Sequence, residues 1–500
     1  MDKIIENKVE KLEVKDNFKL INQSINYSKY IKEKRKNPKI IFKRVLKLSF
    51  LGLLILFVSI ILINSRSISK SFQEPKRYRV EKSSESLNMS NYDLQRKYKG
   101  KMGEFVDKLE RFSNELTVNL FYDMLEKGQL DLSSLNNYCI SPVSIYMGLA
   151  MAIECSDGNT RQQILDAVGV TYEEVADFTR YLYDMTNDEK KMASFSGNKT
   201  MYFERLANSI WVDKQATLRP EGLERLSTLF HCSTYQAPFS ENINSASKGI
   251  NDYIKKMTGG LVNPKMTYDP LTTFMLVNTY YLKDVWDDEG EKLTLTGEIY
   301  NFKEHDNDTE NVRLLMGHYK SGKQFEAGTY RSFFTSTSYQ NSITFIVPKD
   351  GYNVLDIYNE DTLNSVCDVK YITTNDETHE EYFTRCFFPK YEASFNGDLK
   401  DTLINKFNIK DLFTDANLTN IFDESYIEAY CLGYNHQTML KVDEVGIEGA
   451  AATEIPSFGA KAEGPPYKPV YFDFIVDREF IFMITDTFDN VLFSGVITEI

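Results

Sequence analysis

Apolar and polar positions follow three different rhythms along this chain. From Val45 to Asn64 (VLKLSFLGLLILFVSIILIN) the apolar run is nearly unbroken, and no charge falls between Leu48 and Ile63. Such a stretch is just long enough to span a bilayer, with Lys47 reaching the headgroups. Few soluble helices are apolar on every face, so it predicts a transmembrane helix over 45–64. From Lys101 the rhythm turns helical. Phe105, Leu109, Phe112, Leu116, Leu120, Phe121 and Leu125 fall on one face of a long amphipathic helix that Gly128 ends. NNYCISPVSIYMGLAMAI then reads as a short strand breaking into a helix, with Ser141 as its cap and Pro142 in its first turn. DGNTRQQILDAVGV opens another helix, with Thr160 as the expected cap.

The third rhythm lies near the end, from His436 to Lys461 (HQTMLKVDEVGIEGAAATEIPSFGAK). Met439, Leu440 and Val442 are strand formers beside charged Lys441, Asp443 and Glu444. From Gly446 to Ala452 the chain is almost bare of side chains. An Ala run usually belongs to a helix, but Gly446 and Gly449 raise the cost of one. A flexible linker has little purpose so close to the last strands of a folded domain. The remaining reading is a segment with two states, exposed loop and buried strand. Small residues lose little side-chain entropy on ordering and fit a gap opened in a packed sheet. In a strand, Ile447, Gly449, Ala451 and Thr453 share one face, and Glu448, Ala450, Ala452 and Glu454 the other.

Charge sharpens this picture. Residues 1–47 hold 14 basic and 6 acidic residues, a net of +8; of the 58 and 72 in the whole chain this leaves 44 and 66, a net of −22. So acidic a body argues against nucleic acid as a partner. The basic flank upstream of the apolar run (Lys32, Lys34, Arg35, Lys36, Lys39, Lys43, Arg44, Lys47) outweighs the downstream one (Arg66, Lys70, Lys76, Arg77, Arg79). This bias predicts a cytoplasmic N-terminus and an extracellular body. The long basic N-region and the lack of an A-x-A site favour an uncleaved anchor over a signal peptide. The expected organisation is a cytoplasmic tail over 1–44, an anchor over 45–64, a polar tether over 65–100 and a folded domain over 101–500. The six cysteines are scattered without C-x-x-C spacing, which signals neither zinc nor a disulfide framework.

Several segments closely resemble the serpin family of serine protease inhibitors. EVGIEGAAAT (444–453) resembles the hinge of a serpin reactive-centre loop, YCISPVSI its F-x-S-P-x-S-I, and GNTRQQIL its G-x-T-x-x-Q-I-L. ANSIWV (207–212) looks like its second sheet strand, and SKGINDYIKKMTGGLV a family helix with Tyr253 in place of Trp. LVNTYYLKDVW (276–286) resembles L-V-N-x-x-Y-F-K-G-x-W with Asp284 in place of Gly; FDFIVDREFIFMITD and VLFSGVI resemble the closing hairpin, with Glu479 for Pro and Val496 for Arg. The pieces occur in family order over roughly 400 residues, beyond chance agreement.

The resemblance implies an α+β fold: three β-sheets with surrounding helices and an exposed reactive-centre loop, here preceded by one transmembrane helix. It implies a suicide inhibitor rather than an enzyme. A serine protease attacks the loop, and the cleaved loop inserts into the central sheet before the acyl-enzyme can hydrolyse. Ser141, Ser144, Asn278 and His436 match the shutter, the polar cluster beneath the point where the central strands part. Trp286 and Glu444 match the breach, where the loop first enters, and Lys283 lies close by in sequence. The loop hinge comprises Glu444, Gly446, Ile447, Gly449, Ala450, Ala451, Ala452 and Thr453. Counting family spacing from Glu444 puts the reactive bond at Ala460–Lys461, which suits an elastase-, subtilisin- or trypsin-like protease. Ile447 replaces the usual small hydroxyl residue, and Pro456 would remove a ladder hydrogen bond late in insertion.

The alternative within the family is a non-inhibitory member acting as a surface binding protein or protease substrate. An acyltransferase reading rests on Ser245-Ala246-Ser247-Lys248 and Lys320-Ser321-Gly322, but the intervening S-x-N element is missing. No catalytic residue, metal or cofactor is expected, and the protein is expected to be monomeric. The Lys-, Asn-, Ile- and Tyr-rich composition points to a low-GC Gram-positive bacterium, with the protein at the cell membrane.

Overall fold

In the computed structural model the described residues are 102–130, 137–186, 203–286, 292–304, 308–338, 341–422, 433–447, 467–486 and 489–500. All belong to one compact unit spanning 77–500. The expected tail, anchor and tether (1–100) lie outside the described residues, as do loop positions 448–466. Among the described residues no helix is long and apolar enough to cross a membrane.

Helix α1 (Met102–Glu126) buries Phe105, Leu109, Phe112, Leu116, Leu120 and Phe121, the face its periodicity predicts. It is followed by Gly128 in the left-handed region, at φ 63°. Strand β1 (Tyr138–Ile140) leads into α2 (Pro142–Cys155), all of whose residues are buried. Ser141 occupies the N-cap position of α2, but its side chain makes no capping bond. In helix α3 (Gly158–Val168) the N-cap position is Asp157, whose side chain makes no capping bond, and not Thr160, whose hydroxyl accepts from the distant Asn417 N–H (2.9 Å). Helix α4 (Tyr172–Thr186), β2 (Phe203–Asp213), α5 (Pro220–Leu229), β3 (Ser233–Ala237), α6 (Ile243–Met257) and β4 (Phe274–Val285) follow.

The second half is mostly strands. Short strands β5 (Thr294–Leu295), β6 (Tyr300–Lys303) and β7 (Asp308–Val312) precede β8 (Leu315–Ser321), β9 (Phe325–Glu326), β10 (Tyr330–Ser336) and β11 (Ser342–Pro348). Helices α7 (Val354–Ile357) and α8 (Glu360–Cys367) separate these from β12 (Thr374–Asn375), β13 (Glu380–Phe388) and β14 (Tyr391–Asp398). After α9 (Lys400–Asn405) and α10 (Asp411–Thr414) come β15 (Asn435–Val442), β16 (Gly446–Ile447), β17 (Lys468–Ile475), β18 (Phe480–Thr485) and β19 (Val491–Ile497).

Twelve strands form one hydrogen-bonded path, β3-β2-β4-β16-β15-β14-β1-β19-β18-β11-β10-β9. Two of the expected sheets are thus continuous, because β1 pairs with β14 in parallel and with β19 in antiparallel. A second sheet runs β12-β13-β8-β5, with β17 beside β13, and β6–β7 is a separate hairpin. The chain therefore leaves the large sheet at Ile447 and rejoins the fold in the second one. Helix α2 packs against β4 and β19 and against α3, α4 and α5, which makes it the centre of the core. Tyr253 fills its position on α6 by packing edge-on to Trp211 at 5.7 Å.

Candidate functional site: the gap at the centre of the large sheet

Strand β15 alternates as its sequence predicts, burying His436, Thr438, Leu440 and Val442. At its end the chain turns back within four residues. The Asp443 carboxylate accepts from Val445 N–H (2.8 Å), and Asp443 N–H donates to Gly446 O (3.0 Å). The turn's other carbonyls are held from outside it. The Trp286 indole N–H donates to Asp443 O (2.7 Å), Leu293 N–H to Glu444 O (2.8 Å) and Trp286 N–H to Val445 O (3.3 Å). Every carbonyl from Asp443 to Gly446 is thus satisfied.

Gly446 and Ile447 form β16, wedged between β4 and β15: Gly446 lies opposite Val285, and Ile447 opposite both Asp284 and Val442. A Cβ at Gly446 would sit 2.1 Å from Asp284 O and 2.7 Å from Val285 Cα, so only glycine permits this approach. The Ile447 side chain, the departure from small hydroxyl residues, is completely buried. Glu444 faces outward with Lys390 Nζ 3.5 Å from its carboxylate, and a backbone hydrogen bond, helped by this cation, holds its pKa down. Its neighbouring cations are Lys390 and Lys292; Lys283 lies on β4 beside Phe203 of β2.

Beyond Ile447 nothing described separates β4 from β15, and a cavity of about 290 Å³ occupies the space. Ser144, Asn278 and His436 line it, and so do Met266 to Asp269 from the segment after α6. The Ser144 hydroxyl hydrogen-bonds the Asn278 side-chain oxygen, Asn278 Nδ2 donates to Asn208 Oδ1 (2.7 Å), and Asn208 Nδ2 donates to Phe230 O (2.8 Å). This relay runs from α2 through β4 and β2 to the end of α5. On the other side Ser141 N–H donates to His436 Nε2 (3.2 Å), which assigns the ring proton to Nδ1. Burial lowers the His436 pKa to about 3, so the ring is neutral. The four residues assigned to the shutter thus form two pairs, one on each side of the gap.

Sequence reasoning missed the groups that hold this arrangement from distant elements: Asn208, Asn341, Asp443 and Lys390. Asp284 was visible only as a departure from the family's glycine. Hinge positions Gly449 to Thr453 and the bond Ala460–Lys461 lie outside the described residues. In the stretch that suggested an acyltransferase, Lys248 pairs with Asp252 one turn along α6. The five described cysteines are free thiols, four of them buried. Among the described residues no cluster of three or more His, Cys, Asp or Glu side chains is placed to hold a metal.

The family profile described as "Serpin (serine protease inhibitor)" matches residues 111–500. Alpha-1-antiproteinase F of Cavia porcellus is 27% identical over 380 residues, covering 73% of this chain and 86% of that protein. Neuroserpin of Mus musculus is 24% identical, over 76% of this chain and 89% of its own. A serpin-like protein of Methanosarcina acetivorans is 25% identical, over 78% and 88%. Among solved structures, the thermophilic serpin tengpin in its native state superposes with a TM-score of 0.60 at 20% identity, covering 79% of this chain and 94% of that one. Arabidopsis AtSerpin1 in its native stressed conformation gives 0.61 at 19%, over 80% and 98%. With its sheet order, its hinge turn and a family match over most of its length, the chain belongs to the serpin family, whose members are generally inhibitors of serine proteases rather than enzymes.

Proposed function

We propose that this protein is a membrane-anchored suicide inhibitor of serine proteases that traps the acyl-enzyme by inserting its cleaved loop between β4 and β15. The observation that carries this reading is the register of β16. Continued one residue at a time, its pairing brings Thr453 between Asn278 and His436, and Ser457 level with Phe274 at the start of β4. The small residues Gly449 to Ala452 then fill the upper gap at little cost in side-chain entropy. Pro456 falls opposite Met275, at the far end, where a missing donor interrupts the ladder least. The bond Ala460–Lys461 lies just past that end, so cleavage there frees a strand long enough to fill the gap.

The apolar stretch 45–64 supplies the anchor in this reading, with the N-terminus cytoplasmic and the inhibitor outside the cell. There it would act against elastase-, subtilisin- or trypsin-like proteases at the surface. The test incubates the full chain in mild detergent with elastase, subtilisin, chymotrypsin and trypsin separately. A denaturant-resistant complex with one of them is expected, and the mass of the released C-terminal peptide identifies the bond. Clean cleavage by all four, without a complex and without added heat resistance in the cut protein, favours a non-inhibitory surface protein instead. Retention of the chain in membranes after alkaline carbonate washing tests the anchor.

A further inference from the structure

The hinge seat contains an acid that the trapping mechanism does not require. Asp284, the penultimate residue of β4, is completely buried directly opposite Ile447. Its carboxylate accepts from Val285 N–H (2.8 Å) and from the Asn341 side-chain amide (2.8 Å), and the Thr337 hydroxyl is also within hydrogen-bonding reach. Both donors are neutral, and so is the Thr337 hydroxyl, which donates to Asn341 O (3.0 Å). From β16 it faces an apolar side chain, Ile447. From β2 it faces Glu204, a second buried acid, whose carboxylate accepts from the Tyr280 hydroxyl at 2.7 Å. From the β10–β11 turn it faces Thr337 and Asn341. Lys283, next to it on β4, points to the opposite face of the sheet. The hinge cations Lys390 and Lys292 act on Glu444, and among the described residues no cation ranks with the largest influences on Asp284.

A carboxyl in such surroundings is tolerated as the neutral acid and seeks water as the anion. Asp284 is completely buried between β16 and the β10–β11 turn, so hydrating it means lifting β16 or parting β4 from that turn. We propose that Asp284 is a positioning residue that latches the hinge: its neutral carboxyl keeps Gly446 and Ile447 seated between β4 and β15, and its ionisation loosens the top of the sheet and frees the loop to move. Burial pushes this carboxyl up to about 7, with Glu204 adding to the rise, so ordinary pH changes reach it. The closed seat favours the protonated acid. Its hold is therefore complete below about 3.8 and weakens as pH rises from there to about 7. The latch itself stands on the described seat; its consequence for protease trapping rests on the function proposed above.

The protein carries its own reporter. Trp286 is buried in the seat with its indole N–H on Asp443 O, and Trp211 is the only other tryptophan of the chain. Trp211→Phe leaves Trp286 as the sole tryptophan emitter, and emission of the full chain is followed from about pH 5.5 to about pH 8.5. The expected result is a red shift on raising pH with a midpoint near 7. Asp284→Asn, which keeps the shape and removes the titration, abolishes the shift. Asn341→Ala removes a donor to the anion and moves the midpoint up, whereas Glu204→Gln removes a like charge and moves it down. Glu110 also titrates near 7, on α1 beside Cys367, so a shift that came from it alone would persist in Asp284→Asn. Emission that stays constant over this range overturns the latch. So does a shift that persists in Asp284→Asn or, should that variant not fold, one that neither Asn341→Ala nor Glu204→Gln moves. Protease complexes assayed in parallel separate the two proposals: a pH-dependent seat without a complex removes the inhibitor reading alone, and a complex with a pH-independent seat removes the latch alone.

Discussion

At Gly446 a single added carbon decides whether the hinge fits. The atoms it would meet, Asp284 O at 2.1 Å and Val285 Cα at 2.7 Å, are backbone and cannot swing aside as a side chain could. Gly446→Ala is therefore expected to push β16 out of the sheet and to destabilise the intact protein by roughly 1–3 kcal/mol, the usual range for overpacking. Denaturant unfolding measures it, and a change below about 0.5 kcal/mol would mean the seat is looser than its geometry. His436 makes a different prediction. Its native pKa is lowered from 6.5 to about 3, so the unfolded chain takes up a proton that the native ring refuses. The stability it confers is complete above about pH 6.5 and is lost as pH falls toward 3. Asp284 acts with the opposite sign, relieving the native state as pH falls from about 7 toward 3.8. His436→Gln keeps an acceptor for Ser141 N–H and removes the titration. Its thermal midpoint is expected to fall less than that of the parent between about pH 6.5 and about pH 4; equal losses would place the acid sensitivity elsewhere.

Among the elements, α2 is a helix that cannot move without its neighbours. Glu154 near its end is buried, and Arg225 of α5 pairs with both of its oxygens. The Tyr172 hydroxyl of α4 donates to the same carboxylate (3.1 Å) and accepts from Arg225 Nη2 (2.7 Å), while Arg161 of α3 lies 4.2 Å over the Tyr172 ring. Arg225→Ala leaves a buried carboxylate without its cation, at a cost of roughly 1–3 kcal/mol, since the half-exposed site admits some water. Adding Glu154→Gln is expected to recover part of the loss in the same denaturation assay; a strictly additive double variant would show that the pair is not coupled. Legibility in the sequence also sorts by element. Helix α1 and strand β15 were readable because each repeats one period over several turns or alternations. β16 was not, because two residues carry no period and its seat is set by the carbonyl of Asp284. The cap of α3 was misread at Thr160 because that hydroxyl is engaged by Asn417, a partner only the fold brings near. Ser144 and Asn278 were legible through family register, but Asn208 and Asn341 depend on which strands neighbour β4, which local pattern does not encode.

For the whole molecule the decisive feature is a sheet in two halves. In the sheet order of the described residues β16 is the strand between β3-β2-β4 and β15, and its two residues occupy only the top of the seam. Below it β4 is paired on its β2 side and β15 on its β14 side, so alternate backbone groups on the facing edges point into the cavity. If the proposed insertion operates, the intact chain is held by a barrier, not by equilibrium. Amide hydrogen exchange reads this directly. In the intact protein the gap-facing amides of β4 and β15 are expected to exchange quickly, while those of the fully buried α2 stay protected. After proteolysis within 448–466, insertion pairs both edges at once. Exchange at the same amides is expected to slow by roughly 100-fold or more, with α2 little changed. The two edges must respond together, since one inserted strand serves both. Protection gained on β4 alone would mean that the seam closes by another route, and no gain on either edge would mean that the cut loop stays outside the sheet.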